Sequence, residues 1–489
     1  MRDPAGHGPD HVELCIIGSG SGLSLIDDDI ADWQIALVDN GIGPTGAFGG
    51  TCLNAGCIPS KMLALPARYA LAPAEAERVD VRLEFKGADF HAIQARTFGR
   101  IDAVSSGGLA HLGTRPNVQV LFGPAVFVDP HTIRVGHRQV SADRIVIAAG
   151  SRPRMLQAPG FDDPYLQPFV HTSASILRIE DLPKRLVIIG GGVEAVEFGH
   201  IFAGLGSHVT IIARSEPLLR AKDESIGTRV TELIAGRVLL RMNQQVTGLE
   251  PGEAGGVVVS TEDVTGIEYS YETDAVLVCV GRIPNGDQLR LERAGLRLDD
   301  AGLVATDEHL RTPVPHIWAL GDVCSPWMLK HLANAQARVV KHNLLAERDG
   351  RPLLARDERF VPQAIFCEPE VATVGKTEAQ LVEAGIGYVS YVQEYADVAY
   401  GWASNDQDHF VKLLADTAGE QLLGAHIVGP QAASLIQPLV SAMSFNQSIE
   451  QAARGQYWIH PALSEVVENA LLGILRAAEE QGASSGETK

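Results

Sequence analysis

Residues 12–23 read VELCIIGSGSGL, and residues 185–199 read RLVIIGGGVEAVEFG. Each is an unbroken apolar run followed at once by closely spaced glycines. A strand of a parallel sheet is covered on both faces and so carries such a run. Glycines directly after it let backbone N–H groups approach a pyrophosphate at a helix N-terminus. In the first copy the strand ends at Gly18, with Gly20 and Gly22 behind it. A helical stretch is expected next, then a second strand, IALVD, ending at Asp39. Asp39 falls 21 positions after Gly18, close to where a carboxylate meets a ribose 2′-hydroxyl. The third fingerprint position holds Leu23 instead of Gly or Ala, which puts local packing in question more than binding. One such loop could be an ordinary tight turn; two on one chain argue for nucleotide sites.

The second copy carries Gly190, Gly192 and a permitted Ala195. Its second strand, HVTIIARSEPLLR, has Ala213 and then Arg214 in place of an acid, with Arg220 six residues on. A carboxylate suits a free 2′-hydroxyl, whereas a guanidinium fork suits a 2′-phosphate. The first site therefore reads as one for a nucleotide with unphosphorylated ribose, and the second as one for NADPH. RIVIAAGSRP (144–153, with Gly150) and VLVCVGRIPN (276–285, with Gly281) each join a strand to a Gly and a Pro, and both read as crossovers. PHIWALGDVC (315–324) is a further apolar strand, ending at Gly321 and Asp322. The expectation is an α/β chain with a first dinucleotide-binding (Rossmann-like) domain over 12–150 and 286–348, and a second inserted over 151–285.

At 489 residues the chain is too long for one core. Its net charge of -20, from 60 acidic and 40 basic side chains, argues against nucleic acid or an anionic membrane as partner. No apolar run approaches the roughly 20 residues needed to span a bilayer, and the start lacks a signal-peptide core; the cytoplasm is the expected location. Disorder is expected in the polar tails, 1–11 and 477–489. Six cysteines cannot form a disulfide scaffold. Cys15 and Cys279 lie in apolar runs, and Cys324 and Cys367 are isolated. Only Cys52 and Cys57, in GGTCLNAGCIPSK (49–61), are neighbours. A metal clip, a structural disulfide and a redox pair are all conceivable. A four-cysteine zinc site would need ligands from far away, so no metal is expected, and a close pair in a reducing compartment is more often redox-active.

GGTCLNAGCIPSK also resembles the redox-disulfide signature of the pyridine nucleotide–disulfide oxidoreductases, and the likeness runs from about residue 12 to 475. The resemblance implies a glutathione reductase-like fold, with a C-terminal α+β domain (349–476) making a homodimer. It implies FAD at Gly18, Gly20, Gly22, Asp39, Gly50, Thr51, Gly150 and Asp322. NADPH would lie at Gly190, Gly192, Ala195, Arg214, Arg220 and Gly281. Cys52 would attack the substrate disulfide and Cys57 would face the flavin. In YWIHPALSEVVENAL (457–471), His460 with Glu465 would serve the cysteines of the other subunit, and Lys61 with Glu197 would pair beside the flavin. GSGSGLS, KHLANAQARVVKHNLL and WIHPALSEVVENALL resemble the mycothione reductase branch, which implies NADPH-driven reduction of mycothiol disulfide. Dihydrolipoamide dehydrogenase or another glutathione reductase-like enzyme is the alternative; a non-catalytic flavin- and nucleotide-binding sensor or assembly protein is the reading from another class. Two further departures stand out. Val193 lies where many relatives carry an aromatic screen, and Glu194 is a charge where an apolar residue is usual. In addition, KHLANAQ occupies a stretch where relatives usually show Thr-Pro-x-Ala.

Overall fold

The computed structural model describes residues 10–43, 45–253 and 255–486. The first glycine-flanked strand is β1 (Asp10–Ile17), buried from Leu14 to Ile17. It runs parallel to β2 (Ile35–Asp39) on one side, and the chain continues through helices α1 (Gly50–Ala55), α2 (Cys57–Glu77) and α3 (Phe90–Leu112) to β3 (Val118–Phe122). An antiparallel pair, β4 (Ala125–Asp129) and β5 (Thr132–Val135), leads into β6 (Arg138–Ile147), which lies parallel to β1 on its other side. The strand Ile317–Ala319 then pairs with β6, with Trp318 opposite Val146. Sheet order thus reverses at β1. In such sheets the ligand crevice opens outside the carboxyl ends of the strands at the reversal, here Gly18 and Ala148.

A second parallel sheet runs in the order Leu239–Arg241, His208–Ile212, Arg185–Ile189, Ala275–Val278 and Val170–Thr172. It carries helices α4 (Val193–Leu205) and α5 (Glu224–Ile234), with a three-stranded antiparallel meander over 244–273 beside it. The two connections between the sheets, Ser151–Pro153 and Arg282–Pro284, pair antiparallel with each other. Helix α6 (Lys330–Asp349) follows the returning strand and packs over the first glycine loop. A five-stranded antiparallel sheet over 363–428 and the C-terminal helix Glu465–Gly486 form the last core.

Two expectations change. The stretch after the first glycine loop is not an α-helix. It makes only two short 3-10 turns, Gly22–Leu25 and Asp28–Ile30, because Ile26 goes extended and three consecutive aspartates follow. The tail expected to be disordered from 477 instead continues the last helix through Gly486, since Ala, Glu and Gln are good helix formers. At the other end, Asp10 and His11 already belong to β1. Residues 1–9 and 487–489 lie outside the described residues.

Candidate active site

The first glycine loop is built by close approach. Gly18 has φ +111°, and a Cβ there would sit 2.2 Å from the carbonyl oxygen of Ala148. A Cβ on Gly22 would meet Ile16 Cγ2 at 2.8 Å and Ala148 Cβ at 3.0 Å. Gly22 therefore does the close packing that the third fingerprint position usually serves, while Leu23 packs against the core. Gly20 stays open, with nothing nearer to an added Cβ than Gly50 Cα at 3.8 Å. In the other direction a Cβ on Gly50, at φ +77°, would stand 2.4 Å from Gly20 Cα. The glycine loop and the redox helix thus touch backbone to backbone, and this contact brings Thr51 and Cys52 to the mouth of the loop.

Asp39 is buried at the end of β2, where it accepts from Ser19 Oγ and the Gly41 N–H; burial pushes its carboxyl above the usual range. Ser19 Oγ in turn accepts from the Gly49 N–H at 2.9 Å. Asp322 follows Gly321 (φ +77°), and its Oδ2 accepts from Ser151 Oγ at 2.6 Å. The Gly321 N–H donates to buried Gln336 Oε1 at 2.7 Å. Gly150, at φ +67°, has open space where a Cβ would lie. Open glycines, a buried carboxylate on β2 and a second carboxylate at the returning strand converge on one crevice and fit an FAD.

Cys52 lies in the first turn of α1 and Cys57 opens α2, and both are unlinked. Asn54 Nδ2 ties the turn to the carbonyls of Phe48 (2.8 Å) and Gly50 (3.1 Å), and Ser105 Oγ from α3 donates to Phe48 at 2.7 Å. A hydrogen bond from Cys57 holds the Cys52 thiol down to about 7, opposed by burial and helped by the Lys330 charge. Cys57 is pushed up by the same bond and by burial. Of the pair, Cys52 ionises at the lower pH. Cys15, Cys279, Cys324 and Cys367 are buried thiols. No group of three or more potential metal ligands occurs among the described residues.

The second loop repeats the first: a Cβ on Gly190 (φ +134°) would lie 2.2 Å from the carbonyl oxygen of Cys279. Gly192 is open at the start of α4, Ala195 is buried, and Gly281 is open at φ +106°. Arg214 and Arg220 are both exposed, and among the described residues no carboxylate forms an ion pair with either. These residues fit a nicotinamide dinucleotide. Glu194 now has a partner: Arg282 Nη1 lies 3.3 Å from its Oε1, while Arg282 also donates to Ser151 Oγ and O. The chain Glu194–Arg282–Ser151–Asp322 therefore links the two nucleotide crevices. Val193 is 36% exposed beside it. Helix α4 also packs on α2, where a Cβ on Gly204 would meet Ala67 Cβ at 2.9 Å.

Lys61 and Glu197 are not joined as expected. Lys61 Nζ instead pairs with Glu370 Oε1 at 3.6 Å and lies 4.0 Å from the centroid of the Phe366 ring. Glu197 accepts from the Phe366 N–H at 2.8 Å, and burial raises its carboxyl to about 7. Segment 366–370, absent from any motif reading, takes the polar contacts of both, while the Lys61 charge still acts on Glu197. His460 Nδ1 meets Glu465 Oε1 at 2.7 Å on a side chain that is 71% exposed. No hydrogen bond or ion pair joins His460 to Cys52 or Cys57 within the chain. Just before it in the chain, Tyr457 and Ile459 are strongly exposed.

Residues 12–337 match the family model described as pyridine nucleotide-disulphide oxidoreductase, and residues 361–471 match the dimerisation domain of the same family. The chain belongs to the pyridine nucleotide-disulphide oxidoreductases. It is 42% identical to a mycothione reductase of Mycobacterium tuberculosis, covering 94% of this chain and 99% of the relative. A dihydrolipoyl dehydrogenase of Haloferax volcanii is 34% identical over 94% of this chain and 96% of its own length. Among solved structures, the HOCl-induced flavoprotein disulfide reductase RclA from Escherichia coli superposes with a TM-score of 0.80 at 26% identity, covering 94% of this chain and 99% of that one. The protein is thus a flavoprotein disulfide reductase working with FAD and a nicotinamide dinucleotide. The resemblance read from 49–61 and 457–471 is borne out, as is the α/β class. Ser19, Ser105, Ser151 and Arg282 were missed. Ser19 and Arg282 lie inside recognised motifs and were in reach; Ser105 lies on a helix with no local signal.

Proposed function

We propose that the protein is an NADPH-dependent reductase of mycothiol disulfide, acting as a homodimer in the cytoplasm. The observation that carries the chemistry is Cys52, poised near neutral pH at the backbone contact between Gly50 and Gly20. The substrate assignment leans on the 42% identity to a mycothione reductase over nearly both full lengths. The preference for NADPH leans on unpaired Arg214 and Arg220 where an acid would favour a free ribose.

Gly18, Gly20, Gly22, Asp39 and Asp322 would hold FAD, which would supply two-electron transfer between NADPH and the Cys52–Cys57 pair. The Cys52 thiolate attacks one sulfur of the substrate disulfide, making a mixed disulfide and releasing one thiol. His460 of a second copy, held in one tautomer by Glu465, protonates that leaving sulfur. Cys57 then attacks Cys52 Sγ, which frees the second thiol and restores the Cys52–Cys57 disulfide. The exposed His460 and the exposed Tyr457 and Ile459 just before it, unused within one chain, support the second copy as its user. Arg282 holds the crossover strands with Ser151 and Glu194, so the two nucleotide crevices keep their spacing.

The test is steady-state NADPH oxidation with mycothiol disulfide, glutathione disulfide and lipoamide. Turnover with mycothiol disulfide, at a kcat/KM at least tenfold above the others, is expected. Turnover with lipoamide alone would replace the substrate assignment with that of the dihydrolipoyl dehydrogenases.

A further inference from the structure

In the first site the usual source of positive potential for a pyrophosphate is curtailed. A helix collects its N-terminal charge from aligned peptides over several turns. Here the glycine loop feeds a 3-10 turn of four residues, Gly22–Leu25. The next charges along the chain, Asp27, Asp28 and Asp29, have the wrong sign for a phosphate. Helix α6 answers both problems. Its Lys341 pairs with Asp27 and Asp29, the latter at 2.7 Å, and Arg115 from beyond α3 pairs with Asp28 at 2.7 Å, so two cations offset most of the charge of the three aspartates. Three turns earlier on α6, Lys330 forms no ion pair with a carboxylate among the described residues. Its Nζ donates to Ser21 Oγ of the glycine loop at 2.9 Å, and Ser21 Oγ donates in turn to Asn334 Oδ1 at 3.3 Å. Lys330 is half-buried and opens the stretch where relatives usually show a Thr-Pro-x-Ala sequence.

We propose that Lys330 is a pyrophosphate-binding residue for FAD, supplying from α6 the positive charge that the shortened loop helix does not. Ser21 and Asn334 hold the ammonium at the loop until the phosphates take over its hydrogen bonds. A lysine placed for Cys52 alone would have no need to reach Ser21. The proposal rests on the flavoprotein assignment, and its test keeps the two apart.

The experiment follows FAD release from purified holoprotein, read as the rise in free-flavin fluorescence after dilution into mild denaturant. Wild type, K330R and K330Q are compared at low and high salt. Wild-type protein that carries no flavin would count against the family assignment itself. K330Q is expected to release FAD about 10- to 100-fold faster than wild type, the effect of losing one charge-assisted hydrogen bond. K330R is expected to stay near wild type, and wild-type release is expected to quicken with salt while K330Q release barely changes. Should K330Q not accumulate as folded protein, the salt dependence of wild type and K330R carries the test. Equal release from K330Q and wild type, or wild-type release indifferent to salt, would overturn the proposal.

Discussion

Removing the Cys57 sulfur should raise the midpoint at which Cys52 ionises. The bond from Cys57 is the largest influence on Cys52, followed by opposing burial and then by Lys330. In C57A the bond is gone and the midpoint should climb from about 7 toward the ordinary cysteine value of about 8.5. A change of about 1.5 units leaves about 30-fold less thiolate at pH 6. A thiolate of higher pKa is intrinsically more nucleophilic, with a Brønsted slope of about 0.45, which returns about 5-fold. The net expectation is alkylation about 6-fold slower at pH 6 in C57A, and faster than in wild type only above pH about 7.9. The assay is iodoacetamide labelling of reduced protein against pH, with mass spectrometry locating label on the peptide that holds Cys52. C57S, whose hydroxyl can still donate, should fall between the two. Identical pH profiles for wild type and C57A would refute the reasoning, because burial and Lys330 alone would then set the value.

Three further outcomes follow from other parts of the molecule. Replacing Arg214 and Arg220 together by Ala should raise KM for NADPH at least tenfold with KM for NADH within about twofold, since a charge-assisted phosphate contact is lost only for the former; equal changes would remove the 2′-phosphate assignment. K412M should destabilise the protein by about 3–5 kcal/mol, seen as a lower thermal midpoint, because buried Asp223 loses the Lys412 Nζ that stands 2.8 Å away. That Asp223 is held down to about 2, so its contribution is present above the ordinary carboxylate value of about 3.9 and disappears as pH falls toward about 2. An acid-unfolding midpoint unchanged in D223N would contradict this. Finally, C52A and H460A should each be inactive alone, whereas a heterodimer of the two should hold one working site of two; no recovery of activity on co-expression would place His460 outside the partner's reaction.

The parts legible in the sequence were those whose physics is local. Unbroken apolar runs ending in Gly18 and Gly190 identify buried parallel strands, and the cysteine spacing in 49–61 identifies the redox turn without any partner. What escaped depends on residues far along the chain. Glu194 was unexplained because its partner Arg282 is 88 positions away. Lys61 and Glu197 looked like a pair because each sits in a motif, yet Glu370 and the Phe366 N–H take their polar atoms. The segment after Gly22 looked helical by its place in the motif. Its packing is supplied by α6, and Gly22 itself meets the strand, so no long helix forms there. The C-terminal residues misled in the opposite sense, because small and polar residues that suggest disorder are also helix formers when a preceding helix is already docked.

The central claim is that Cys52 and Cys57 exchange electrons with the flavin, and it is tested most directly by anaerobic titration of the holoprotein with NADPH. One equivalent should produce a long-wavelength charge-transfer absorbance, from a cysteine thiolate stacked on oxidised flavin, and mycothiol disulfide should discharge it. Simple bleaching of the flavin with no such band, and no discharge by any disulfide, would mean that the cysteine pair and the flavin are not coupled.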